Sequence, residues 1–95
     1  MKLIYTASIP NQELTFPING ERWLLRLFTA GPVLCADVYL NDEIVVLGAR
    51  VVPGEPIIRY NAGEYGGNFY LATEADEYPH WKSLGGKHIL VYTND

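Results

Sequence analysis

The dipeptide Asn19-Gly20 lies between two extended runs, Glu13 to Ile18 and Glu21 to Ala30, and constrains the fold more than any other feature of the chain. A two-residue connection between antiparallel strands favours a type I′ turn, whose central residues both need positive φ. Asn and Gly tolerate that backbone best. Asn41-Asp42 is a second connection of the same length, joining 33–40 to a run from Glu43 to Val52. The flanking runs agree with this reading, because apolar residues recur at every second position and no useful window supports an amphipathic helix.

Alternation assigns faces. Residues 2–9 place Leu3, Tyr5, Ala7 and Ile9 together, and Pro10-Asn11-Gln12 breaks the strand. In the run 13–18, Pro17 has no N–H to give to a ladder, so an edge strand is expected. Trp23, Leu25 and Leu27 share one face of 21–30, and Gly31-Pro32 ends that run. Leu34, Ala36, Val38 and Leu40 point inward from 33–40, with Asp37 and Tyr39 opposite. The expected core comprises Trp23, Leu25, Leu27, Leu34, Ala36, Val38, Val46 and Leu90, with Trp23 at one edge of the set and only partly covered.

Glu43 to Val52 is nearly all apolar, which predicts a strand buried on both faces, with a bulge or bend at Gly48. A rigid turn at Pro53-Gly54-Glu55-Pro56 precedes a short strand at 57–60, and a glycine-rich loop fills 61–67. Strands follow at 68–73 and 88–93, separated by a compact loop, 74–87, holding one helical or 3-10 turn. About seven short strands with a turn signal every 8–12 residues predict an all-β fold, a small antiparallel sandwich or barrel. With 95 residues the chain is expected to form one domain, 1–95.

Composition removes several function classes. Seven basic residues against eleven acidic give a net charge of −4, without the Lys/Arg cluster that phosphate backbones require, so no direct nucleic-acid binding is expected. The single Cys35 excludes an intrachain disulfide. Met1 leads straight into Lys2-Leu3-Ile4-Tyr5, with neither a long apolar stretch nor a small-residue cleavage site, so no signal peptide is expected. No apolar run approaches the roughly 20 residues of a membrane span.

Cys35, Asp37, His80 and His88 are the residues from which a nucleophile, an orienter and a base would have to be drawn. A thiolate needs a positive neighbourhood, and Asp37 two positions along the same strand face works against one. One Cys and two His do not make a zinc site. Glu74, Asp76 and Glu77 lack the spacing of a calcium loop and read as a solvated acidic edge. Gly63-Glu64-Tyr65-Gly66-Gly67 lacks the Lys-Ser/Thr and the helix of a phosphate loop, and Glu64 would repel phosphate. No enzyme, metal or cofactor is therefore expected.

Aromatic residues are numerous, with seven Tyr, three Phe and two Trp. Tyr78 and Trp81 fall in the irregular segment 74–87. Two arrangements suit them: a loop packing its own side chains beneath itself, or an anchor inserted into a neighbouring subunit, since Trp and Tyr dominate interface hot spots. Tyr39, opposite the inward face of its strand, is open to the same two readings. These three are the candidate partner-binding residues. A small β-sandwich with exposed Trp and Tyr would also suit a carbohydrate-binding module, by stacking on sugar rings.

The order of features resembles a known family. Pro10-Asn11-Gln12 follows a first strand, Asn19-Gly20 precedes Arg26-Leu27, and Asp37 precedes Asn41-Asp42. Gly48, the turn at Gly54, and Gly67 before an aromatic strand come next, then Asp76-Glu77-Tyr78, Leu84-Gly85 and the closing Leu90-Val91-Tyr92. In sequence and spacing these resemble the small baseplate plug proteins of contractile-tailed phages, such as the plug of a cyanophage tail. The resemblance spans almost the whole chain. It implies a structural protein of the virion, assembled in the bacterial host cytoplasm and seated near the baseplate axis. The implied partners are other baseplate proteins such as hub, spike or tube components, met by several copies in a symmetric assembly. Plugs of this kind are compact β-domains without known catalysis.

Overall fold

The computed structural model describes residues 1–60, 62–74 and 78–94, and these contain seven β-strands. β1 is Lys2–Ile4, β2 Asn11–Ile18, β3 Glu21–Ala30, β4 Val33–Leu40, β5 Glu43–Arg50, β6 Asn68–Ala72 and β7 Ile89–Thr93. They form a four-stranded antiparallel sheet, β2-β3-β4-β5, and a three-stranded one, β1-β7-β6. The sheets face each other as an open sandwich, as expected from the spacing of the turns, and do not close into a barrel.

Both two-residue connections are hairpin turns. Asn19 and Gly20 have φ of 52° and 79°, and Asn41 and Asp42 have 51° and 69°. All four lie in the left-handed region that a type I′ turn requires. The face assigned to β3 is also correct, since Trp23, Leu25 and Leu27 are buried, as are Leu34, Ala36 and Val38 on β4. Trp23, at the end of that set, is only 1% exposed and lies in the core with the others. Its indole meets Phe69 of β6 edge-on, ring centroids 5.1 Å apart, and Tyr92 of β7 at 6.2 Å. These contacts join the two sheets through aromatic pairs, which prefer such tilted geometry.

Four expectations need correction. The first strand covers only 2–4, and its buried face is the opposite one: Ile4 and Thr6 are buried, whereas Leu3, Tyr5, Ala7 and Ile9 are exposed. The register with β7 decides this, because Ile4 pairs with the fully buried Leu90 and Leu3 with Val91. A strand's inward parity follows its neighbour's, whatever its own apolar count. Second, β2 already includes Asn11 and Gln12, so the break ends at Pro10.

Third, β5 is not buried on both faces. It pairs only with β4 and is the outer strand of its sheet, leaving Ile44 61% and Leu47 55% exposed. Val46 is accordingly half-buried against the core. The register shifts along the β4–β5 ladder, and Gly48 sits in the irregularity with φ of 65°, as a bulge residue should. Fourth, 57–60 is no strand, although Ile57 and Ile58 are buried. Ile57 donates its N–H to the Phe69 carbonyl, but both backbone groups of Ile58 go to the Asn68 side chain (2.9 and 2.7 Å), so no ladder continues.

The segment 74–87 contains the expected 3-10 turn, Trp81–Ser83, followed by a tight turn at Gly85. Gly85 has φ of +78°, and a Cβ there would stand 2.5 Å from the Thr6 carbonyl oxygen. Gly85→Ala is therefore expected to destabilise the fold by at least the roughly 1–3 kcal/mol of a left-handed non-glycine residue. Gly63→Ala, with open space and no positive φ, is the matched control. Chemical denaturation of the two variants checks this, and equal stabilities would refute it.

Candidate partner-binding surfaces

The outer face of the four-stranded sheet is built around Asp37. β3 and β4 pair Arg26 with Asp37, and the guanidinium reaches the carboxylate at 3.2 Å while lying 4.9 Å over the Phe28 ring. The other carboxylate oxygen accepts the Gly48 N–H at 2.7 Å. Asp37 thus supplies, from its side chain, the acceptor that the bulge in β5 takes out of the ladder, which accounts for a carboxylate that is mostly buried. Cys35 lies beside it on the same face, also buried, with its thiol near the Val33 carbonyl.

Tyr39 is half-buried on this outer face, cross-strand from Leu24 and Ile44. Together with Glu13, Leu24, Arg26 and Asp42 it lines a shallow depression. Arg22 and Asp42 form an exposed ion pair at its border.

Tyr78 occupies a different place. It is 81% exposed and stands beside a pocket of about 230 Å³ lined by Pro32, Val33, Val52, Pro53 and Pro79, with Arg50 at its side. Trp81 is half-buried and packs on the core from the 3-10 turn. Its ring has the His80 imidazole at 5.6 Å on a tilt of 31° and the Lys82 ammonium at 5.6 Å. The Ser8 hydroxyl contacts the carbonyls of Trp81, Lys82 and Leu84, the bond to Lys82 being the shortest at 2.7 Å. That contact ties the loop to the segment after β1.

The two histidines brace this loop. His80 caps the 3-10 turn, its Nδ1 accepting the Lys82 N–H, and its own N–H donates to Nδ1 of the buried His88. Neither histidine is joined to Cys35 or Asp37 by a hydrogen bond among the described residues. Of the acidic trio, Asp76 and Glu77 lie outside the described residues, and Glu74 is exposed.

Of the residues left open between self-packing and partner contact, Tyr78 is exposed and Tyr39 half-buried, and other exposed apolar groups went unread in the sequence. The exposed Leu3 lies in one row with the half-buried Val91 and Tyr70 across the outer face of the three-stranded sheet, with Met1, Tyr5 and Ile89 nearby in sequence and exposed. The inverted face of β1 concealed them.

These surfaces belong to a chain that the family model of the cyanophage baseplate Pam3 plug gp18 matches over residues 1–95. The chain belongs to this plug family. No curated protein matches it. As a plug-family protein it is a structural component of a phage virion tail, and it interacts with other baseplate components. The exposed aromatic and apolar groups of the plug are therefore candidate contacts with those components. Tyr5, Tyr60 and Tyr78 are each more than four-fifths exposed.

Proposed function

We propose that the chain is a single β-domain that works as a mechanical plug beside the central hub and spike of the baseplate. Several copies, assembled in the host cytoplasm, would brace that position until contraction rearranges the tail. The whole-chain family match carries this reading. The fold supports it: a rigid sandwich whose interior is bonded by aromatic pairs, and whose exterior carries unpaired aromatic bulk. Cys35, Asp37, His80 and His88 all serve hydrogen bonds or packing within the fold, so we read the protein as non-catalytic, without metal or cofactor. Its acidic surface argues against direct nucleic-acid contact.

The carbohydrate-binding alternative finds less support. Trp81, its leading platform, packs on the core and has His80 and Lys82 close to its ring. Cross-linking mass spectrometry of purified tails tests the choice, using the exposed Lys82 and Lys87. Links to hub, spike or tube components are expected. Links confined to peripheral, receptor-facing proteins would contradict the plug reading.

Tyr78, Tyr39 and the open part of Trp81 are the proposed contact residues. Hydroxyl-radical footprinting should show oxidation of Tyr78 falling severalfold between isolated protein and intact tails, with a smaller fall at the half-buried Trp81. Unchanged oxidation of both would place the contacts elsewhere.

A further inference from the structure

The two sides of the sandwich are closed differently. On the β5/β6 side, the segment following β5 is hydrogen-bonded to both sheets. Val51 donates its N–H to the Leu34 carbonyl of β4, while Gly54 and Ile57 donate to the Leu71 and Phe69 carbonyls of β6. An extended piece of chain thus fills that gap. On the opposite side, β1 pairs only with β7 and β2 only with β3, and a slot lined by Lys2–Tyr5 and Glu13–Phe16 separates them.

The free edge of β2 can be read residue by residue. Ile18 and Glu21 flank a two-residue turn, so they exchange both backbone hydrogen bonds. Alternation then aims the N–H and C=O groups of Gln12, Leu14 and Phe16 at β3. Those of Glu13 and Thr15, and the Pro17 carbonyl, face the slot. This also explains Pro17: its missing N–H lies on the free side and removes nothing from the β2–β3 ladder. At one end of the slot the chain already places an amide between the strands. Gln12 donates through Nε2 to the Ala7 carbonyl at 2.7 Å and accepts the Ala7 N–H through Oε1 at 2.9 Å, imitating a strand rung. Beyond Gln12 there is no equivalent among the described residues.

We propose that this slot receives an extended segment of a neighbouring baseplate polypeptide, which adds as a strand to the free edge of β2. The groups it offers are a row of main-chain donors and acceptors with the apolar side chains of Ile4, Leu14 and Phe16 beneath, and only an extended chain meets both at once. Segment 51–57 of this chain is the internal example of such an occupant on the other side. Glu13 already has Arg26 across the ladder on the other side, so the main-chain groups and the apolar floor, rather than charge, select the occupant. The baseplate reading enters only in naming where the segment comes from.

Amide exchange and one substitution test the slot. In the isolated wild-type protein the amides of Glu13 and Thr15 should exchange at least tenfold faster than those of Leu14 and Phe16. In purified tails the peptide covering 11–16 should gain protection at two amides. Thr15→Pro removes a slot-facing N–H and no β2–β3 bond, as Pro17 does natively, so it should fold and yet enter tails at least tenfold less than Thr15→Val. Tails that contain the protein with no added protection at 11–16 would overturn the proposal. So would wild-type levels of folded Thr15→Pro in tails. Protection of 11–16 that rises with concentration in the isolated protein would overturn it too, by giving the edge to a second copy.

Discussion

Replacing Trp23 with alanine should destabilise the protein by about 3–5 kcal/mol, the usual range for a buried aromatic truncated to alanine. Trp23 is fully buried and contacts Phe69 and Tyr92 on the facing sheet, so its loss empties the junction between the two layers. A domain of this size has on the order of 5–10 kcal/mol in total. At roughly 4–8 °C per kcal/mol, the melting temperature should fall by about 12–40 °C. Trp81→Ala offers the comparison within the same protein. That ring is half-buried at the surface, and its removal should have well under half the effect. Similar losses for the two variants would mean that the inter-sheet junction is assigned incorrectly.

Asn68→Ala should be nearly as damaging, although no large side chain is lost. The Asn68 amide accepts the Ile58 N–H at 2.9 Å and donates to the Ile58 carbonyl at 2.7 Å, in a buried setting. It also accepts its neighbour's N–H, from Phe69, at 2.8 Å. Alanine would leave two backbone groups of Ile58 buried without partners, each at about 1–3 kcal/mol, for a total of about 2–6 kcal/mol. Asn68→Asp keeps the two bonds accepted by Oδ1 but turns a carboxylate oxygen toward the Ile58 carbonyl in a buried setting, so at neutral pH it should be at least as damaging as alanine. Thermal melts in which both variants fall well below wild type check the assignment. An Asn68→Ala variant within about 0.5 kcal/mol of wild type would show that water replaces the amide.

The contrast between these two residues marks where sequence reasoning succeeds in this chain. Trp23 was legible because β3 is long, strictly alternating and fixed at one end by Asn19-Gly20, whose φ requirements leave little choice of register. β4 takes its parity from β3, to which the two residues Gly31-Pro32 join it. β1 has neither aid. Leu3, Tyr5 and Ile9 outnumber Ile4 among apolar residues, yet pairing with Leu90 of β7 turns Ile4 inward. That pairing joins opposite ends of the chain, and no local pattern reports it. β5 misled for a related reason: an unbroken apolar run records that both faces are apolar, not that both are covered. Its exposed Ile44 and Leu47 are instead consistent with a surface that meets other proteins. The role of Asn68 was out of reach, because a polar residue at a strand start looks the same whether its amide faces water or replaces a ladder.

The candidate contact residues divide similarly. Alternation on β4 placed Tyr39 on the outer face, and Tyr78 stood out as a large ring in a segment without periodicity. The half-burial of Trp81 depends on the tie from Ser8 across to the loop, a contact between residues far apart in sequence. The unpaired edge of β2 was half visible, since Pro17 announced an edge strand while the slot facing it required the position of β1.

The central claim is that this chain is a structural plug of a phage baseplate, and a cryo-electron microscopic reconstruction of the intact tail tests it most directly. Density for a seven-stranded sandwich is expected beside the central hub and spike, with Tyr78 in contact with a neighbouring subunit. A complete baseplate in which that axial position is filled by other proteins, with this chain absent or confined to the periphery, would contradict it.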